Sequence, residues 1–123
     1  MNAALGRLQF DHLGVVTQDV DAGALALGRL LGADGLTQRF DDEGLGVSVR
    51  FMRDGAGMVY ELIAPLGPKS PVARALKAKS DLLNQVAYRV ASIEAAGAAL
   101  REGGALPLNA LTPALAFAGA PVQ

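Results

Sequence analysis

Apolar and polar positions change their period along this chain, and each change marks an element. From Leu8 to Val16 the pattern alternates and is rich in Val, Leu and Phe, the two-residue period of a strand with one covered face. Asp19 stands where a helix N-cap belongs, and Val20, Ala24, Leu27 and Leu31 recur at the spacing of one helical face. Gly32 closes that helix. Three short extended runs follow, Leu36–Phe40, Val47–Arg53 and Met58–Ala64, separated by turn material at Asp41–Gly46 and Asp54–Gly57. Strand, helix and three strands thus fill residues 8–65 as one module. Residues 66–80 read as a linker: Pro68 and Pro71 interrupt regular structure, and Val72–Lys79 predicts a short helix that opens just after a proline.

The pattern then restarts. At an offset of about 73 residues, the spacing of His12 and Gln85, Phe10 meets Leu83, Asp11 meets Asn84, Leu13 meets Val86 and Gly14 meets Ala87 without a gap. The match continues into the helix: Asp19-Val20 meets Ser92-Ile93 as paired caps, and Ala22, Ala26 and Leu27 meet Ala95, Ala99 and Leu100. Gly103-Gly104 is the second helix stop, a left-handed turn that glycine adopts cheaply. The fold class predicted is α+β, two βαβββ modules in one domain over residues 1–123, with the second module at 81–123. That second module runs short. Strands are expected at Ala105–Leu108 and Ala114–Phe117, and the turn Gly119–Pro121 leads toward a strand for which no residues remain before Gln123. An unpaired sheet edge seeks a partner, so strand pairing or exchange in a homodimer is expected, with residues 111–123 paired to the other copy or poorly ordered.

Composition narrows the partners. Apolar residues make up 51% and charged ones 19%, too hydrophobic for disorder, yet no run of about 18 uncharged apolar residues could span a bilayer. Eleven basic against twelve acidic residues leave no electrostatic footprint for nucleic acid or an anionic membrane. A small-molecule substrate is the expected partner. Without cysteine there are no disulfides, thiolate metal sites or cysteine nucleophiles. Met1–Leu8 lacks the basic start and apolar core of a secretory signal, which points to a cytoplasmic protein.

Phe10-Asp11-His12-Leu13-Gly14-Val15 resembles the opening strand of vicinal oxygen chelate proteins, the glyoxalase/bleomycin resistance/dioxygenase superfamily, and Tyr60-Glu61-Leu62-Ile63-Ala64-Pro65 resembles their fourth strand. Within it, the linker Pro65-Leu66-Gly67-Pro68-Lys69-Ser70-Pro71-Val72-Ala73 is similar to the segment joining the modules of methylmalonyl-CoA epimerases. The resemblance implies a curved mixed sheet around a cleft, with a divalent metal held by one inward side chain from the first and fourth strands of each module. Carried over, the first-module ligands are His12 and Glu61. The second-module histidine falls on Gln85, a departure from the pattern, and the fourth ligand would lie beyond Gln123.

Imidazole and carboxylate suit Zn²⁺, Co²⁺, Ni²⁺, Mn²⁺ or Fe²⁺, and an amide carbonyl such as that of Gln85 can ligate Mn²⁺ or Mg²⁺. A lone histidine on a strand is more often a hydrogen-bonded structural residue; the strand context is what makes His12 a ligand candidate. Glu61 lies in an apolar run, where a buried carboxylate needs a cation or a donor. Glu43, in the acidic turn Asp41-Asp42-Glu43-Gly44, falls where the epimerases place a carboxylate base, although a charged turn is ordinarily just solvated. Period-two alternation turns Asn84 away from Gln85. Lys69, Arg74, Lys77 and Lys79 could meet a phosphate-bearing acyl-CoA, but such a run is more often a solvated face. The resemblance therefore implies a metal-dependent isomerase or lyase that abstracts a proton next to the carbonyl of a small acyl thioester or keto acid. The alternative is a metal-free binding or resistance-type protein on the same fold.

Overall fold

Asp19 begins the first helix as its position predicts: its backbone is extended and its side chain accepts hydrogen bonds from the N–H groups of Asp21 and Ala22. Helix α1 (Val20–Leu31) then runs to Gly32, whose φ of 64° lets the chain turn off in the left-handed region. In the computed structural model, which describes residues 8–77, 81–105, 112–113 and 121–122, α1 follows strand β1 (Gln9–Thr17) and precedes β2 (Asp34–Gly35), β3 (Phe40–Asp42), β4 (Val47–Arg53) and β5 (Val59–Pro65). Strand β6 (Asp81–Arg89) and helix α2 (Ile93–Glu102) repeat the opening, and a two-residue pair, β7 (Thr112–Pro113) with β8 (Pro121–Val122), closes the described chain.

Six strands form one mixed sheet in the order β2-β4-β5-β1-β6, with β3 also paired to β4. β1 and β5 are parallel neighbours because α1 and the β2–β4 excursion separate them, and the remaining pairs are antiparallel. Of the expected strand Leu36–Phe40 only Phe40 is extended in a ladder, as the first residue of β3, and β2 ends just before it at Gly35. The N–H groups of Leu36 and Thr37 both donate to the Phe51 carbonyl, and the Phe51 N–H donates to Thr37 Oγ1, so the side chain substitutes for a ladder bond and interrupts the run. The predicted helix at Val72–Lys79 is a 3-10 turn at Ala73–Leu76. Of the expected strands at 105–108 and 114–117, all but Ala105 lies outside the described residues.

Helix α1 covers one face of the sheet. Val20 and Ala24 pack with Ala33, Met52, Leu62 and Ala64, flanked by Val15, Leu27 and Tyr60. The contact is made by the first half of the helix: Leu31, expected on the same face, is 46% exposed. The opposite face carries a second cluster, Val47, Val49, Phe51 and Ile63. Period-two alternation sends neighbouring residues of β4 and β5 to these two clusters in turn.

The register between β1 and β6 carries an internal twofold. Leu13 pairs with Val86; on either side, Gly14 pairs with Gln85 and His12 with Ala87, Val15 with Leu83 and Phe10 with Tyr88, Val16 with Leu82 and Gln9 with Arg89. Exchanging the strands at the spacing of His12 and Gln85 converts each of these pairs into its counterpart and returns Leu13–Val86 to itself. The irregularities obey the same exchange: the register passes over Asp11 on β1 and Asn84 on β6, positions with that same spacing.

Candidate functional site

His12 sits where β1 crosses between β5 and β6, on the face opposite α1, and is 5% exposed. Among the described residues, Asp11, Glu61 and Phe51 meet its ring. Asp11 Oδ2 lies 2.6 Å from Nδ1, Glu61 Oε1 lies 3.3 Å from Nε2, and the Phe51 ring meets the imidazole edge to face with centroids 5.3 Å apart. Glu61 reaches this point because β5 runs parallel to β1 with Gly14 opposite Glu61. Its burial places a carboxylate beside the imidazole rather than in water.

Gln85 shares the face. It pairs with Gly14, two residues from His12, and its side chain lies across Gly14 so closely that a Cβ there would stand 2.3 Å from Gln85 Cγ. Gly14 therefore provides the space that the Gln85 side chain occupies. Unlike His12 and Glu61, Gln85 is exposed.

The sequence pattern does not single out Asp11, since in a regular strand it would face away from His12. The register irregularity at Asp11 changes that geometry and lets consecutive side chains meet. Arg89, at the end of β6, completes the group: its Nη2 and Nε donate to Asp11 Oδ1 at 2.8 and 3.2 Å. The only sequence signal for Asp11 is an acid inside a strand of apolar residues, a position where Asp is depleted. For Arg89 there was none, because its partner lies on another strand.

Electrostatics follow the contacts. Burial pushes the His12 pKa down, but hydrogen bonds to Glu61 and Asp11 and the charges of both outweigh it, so His12 titrates above its ordinary 6.5. The hydrogen bond from His12 overcomes burial and, with Arg89, holds Asp11 below the usual 3.8.

Among the described residues Glu43 makes no hydrogen bond or ion pair with this group. It is exposed on the turn between β3 and β4, where residues 43–46 face the linker residues 66–71 across a groove. Val47, just after that turn, pairs with Pro65, whereas Phe51 pairs with Glu61, a separation of four strand residues or roughly 13 Å. Lys69 borders the same groove, and Lys79 lies outside the described residues.

His12 Nε2 and Glu61 Oε1 are two donor atoms of the kind a divalent cation takes. With Asp11 ionised, Nδ1 carries the proton, and Nε2 then faces Glu61 Oε1 acceptor to acceptor, an arrangement that needs a proton or a cation between them. Two donors about 2.0–2.2 Å from one metal, at tetrahedral or octahedral angles, stand roughly 2.9–3.5 Å apart, the range in which the observed 3.3 Å falls. The carboxylate on the far ring nitrogen is the arrangement that orients ligating histidines. Among the described residues no three His, Cys, Asp or Glu side chains form a metal-holding group.

Residues 11–121 match the family model described as the Glyoxalase/Bleomycin resistance protein/Dioxygenase superfamily. The ethylmalonyl-CoA/methylmalonyl-CoA epimerase of Cereibacter sphaeroides is 34% identical over 120 residues, covering 96% of this chain and 86% of that protein. The crystal structure of methylmalonyl-CoA epimerase from Mycobacterium tuberculosis is similar at a TM-score of 0.72 and 24% identity, over 91% of this chain and 74% of that one. A variant of the Streptomyces coelicolor methylmalonyl-CoA epimerase, in complex with 2-nitronate-propionyl-CoA, is similar at a TM-score of 0.70 and 21% identity, over 85% and 77%. At those identities the two structures speak to the fold alone.

Proposed function

The chain belongs to the Glyoxalase/Bleomycin resistance protein/Dioxygenase superfamily, and on that premise we propose that it is an epimerase of a small acyl-CoA thioester with His12 and Glu61 at its reaction centre. The observation that carries this reading is the buried pairing of His12 Nε2 with Glu61 Oε1 at 3.3 Å on the face opposite α1. The substrate class is supported by the Cereibacter sphaeroides relative, an ethylmalonyl-CoA/methylmalonyl-CoA epimerase.

In epimerisation next to a thioester carbonyl a carboxylate base takes the α-proton, the C–H electron pair moves toward the carbonyl oxygen, and a proton returns to the opposite face. The oxygen becomes anionic on the way, and that charge is what a site must stabilise. In this reading His12 Nε2 and the Glu61 carboxylate would hold a divalent cation, with Gln85 beside them; when bound, such a cation supplies several kcal/mol of charge stabilisation to that oxygen. Asp11 lies at hydrogen-bond distance from His12 Nδ1, and Phe51 packs edge to face on the ring. Glu43 remains the candidate proton-transferring carboxylate only if the 43–46 turn approaches this face.

The same reading has the chain act as a homodimer. β6 ends the strand order of the six-stranded sheet, and its Leu83, Val86 and Tyr88 are each more than half exposed, apolar surface that a second copy would cover.

Exchange of the α-proton of methylmalonyl-CoA in D2O, followed by NMR with and without added Zn²⁺, Co²⁺, Ni²⁺, Mn²⁺, Fe²⁺ or Mg²⁺, tests the reading. Exchange above the protein-free rate, lost in Glu61→Gln, is the expected result. Absence of exchange with both methylmalonyl-CoA and ethylmalonyl-CoA under all these conditions overturns it, and binding without exchange would favour the metal-free binding protein.

A further inference from the structure

Asp11 uses both carboxylate oxygens, and the two contacts point to different parts of the fold. Oδ2 meets His12 Nδ1 at 2.6 Å; Oδ1 receives Nη2 and Nε of Arg89, at 2.8 and 3.2 Å, from β6. An ionised carboxylate can only accept, so the short contact requires Nδ1 to be the donor. The neutral imidazole then has its lone pair on Nε2, aimed at Glu61.

The β1–β6 register makes this possible. Were the pairing regular, Asp11 would point to the α1 side and His12 away from it. Passing over Asp11 brings its carboxylate to the edge of the imidazole, and the antiparallel run of β6 puts Arg89 opposite Gln9, within reach of the other oxygen. At the corresponding place on β6 the passed-over residue is Asn84, which carries no charge. Only the β1 copy of the irregularity thus supplies an anion beside an imidazole.

We propose that Asp11 and Arg89 are positioning residues: Arg89 anchors Asp11, Asp11 holds His12 as the Nδ1–H tautomer, and Nε2 is thereby presented to the substrate or cation side of the site. This assignment rests on His12 belonging to the reaction centre, but the tautomer can be read without substrate or metal. The Arg89 side chain is 69% exposed and its ion pair contributes little to folding, so its value lies in direction. Arg89 also joins the two halves of the chain, since it lies on β6 and acts on β1.

His12 is the sole histidine in the chain, so a ¹⁵N-labelled imidazole spectrum contains one ring and needs no assignment. The experiment uses metal-free full-length protein at a pH above the His12 titration, where the ring is neutral. In the unsubstituted protein we expect the Nδ1–H form to exceed Nε2–H by at least about tenfold, a ratio that one charge-assisted hydrogen bond sustains. Asp11→Ala should reverse the preference toward Nε2–H. Arg89→Met should lower the ratio severalfold, and Arg89→Lys should restore part of it; backbone amide spectra monitor the fold in each variant. An Nε2–H majority in the unsubstituted protein, or an unchanged ratio in folded Asp11→Ala, overturns the proposal, and an unchanged ratio in Arg89→Met removes Arg89 from it. If the tautomer behaves as expected while α-proton exchange is absent, the positioning stands and the epimerase reading fails.

Discussion

His12 Nε2 and Glu61 Oε1 stand 3.3 Å apart on adjacent parallel strands, and the proton or cation between them decides what this face of the sheet can do. If a cation occupies that place in the working protein, His12→Ala should lose metal retention on gel filtration while keeping its far-ultraviolet circular dichroism. Metal content equal to that of the unsubstituted protein would exclude His12 as a ligand.

The two candidate carboxylates separate kinetically. Glu61→Gln keeps the shape of the side chain but removes its charge beside His12, and α-proton exchange should fall by about a hundredfold or more. Glu43→Gln, on the exposed turn that precedes Val47, should change the rate by less than about threefold while that turn stays away from His12 and Glu61. A loss in Glu43→Gln as large as in Glu61→Gln would show that the turn folds over the site.

The metal-free protein should lose stability as the pH rises past neutrality. His12 has a folded pKa above its unfolded 6.5, so the folded state binds more protons in that interval; the contribution is complete below 6.5 and disappears as pH climbs through the folded value. Asp11 works in the opposite sense. Its folded pKa lies below 3.8, so its contribution is present above that value and is lost as pH falls through the folded one. Urea midpoints measured from pH 5 to 9 should decline at the alkaline end, and the decline should be smaller in His12→Ala.

Gly14 and Gln85 should behave as a coupled pair. A methyl group on residue 14 meets Gln85 Cγ, so Gly14→Ala should cost about 1–3 kcal/mol through crowding, and Gln85→Ala should recover much of that in the double variant. Additive losses in denaturant titrations would mean that Gln85 does not occupy the space over Gly14.

Asp19 supplies an independent check on the fold. Removing its side chain leaves the N–H groups of Asp21 and Ala22 without their acceptor, and Asp19→Ala should destabilise the protein by about 1 kcal/mol without affecting α-proton exchange. A change in exchange would connect the start of α1 to the site.

Local order was legible in the sequence wherever one residue's own chemistry decides it. Asp19 caps and Gly32 stops the first helix because an acceptor side chain and a positive φ are local requirements, and Ser92 repeats the capping bond to Ala95. The spacing of His12 and Gln85 also foretold a relation that the sheet expresses in its register. What alternation alone misjudged was a pair of neighbours. It sends Asp11 and His12 to opposite faces, and only the irregular pairing of β1 with β6 brings them together. Leu31 kept its place in the helical pattern yet remains half exposed, because α1 rests on the sheet through its first half. The His12–Glu61 contact and the Arg89 anchor depend on which strands lie side by side, and that is set by long-range pairing, where residues 49 and 78 positions apart meet through hydrogen bonds that no local period encodes.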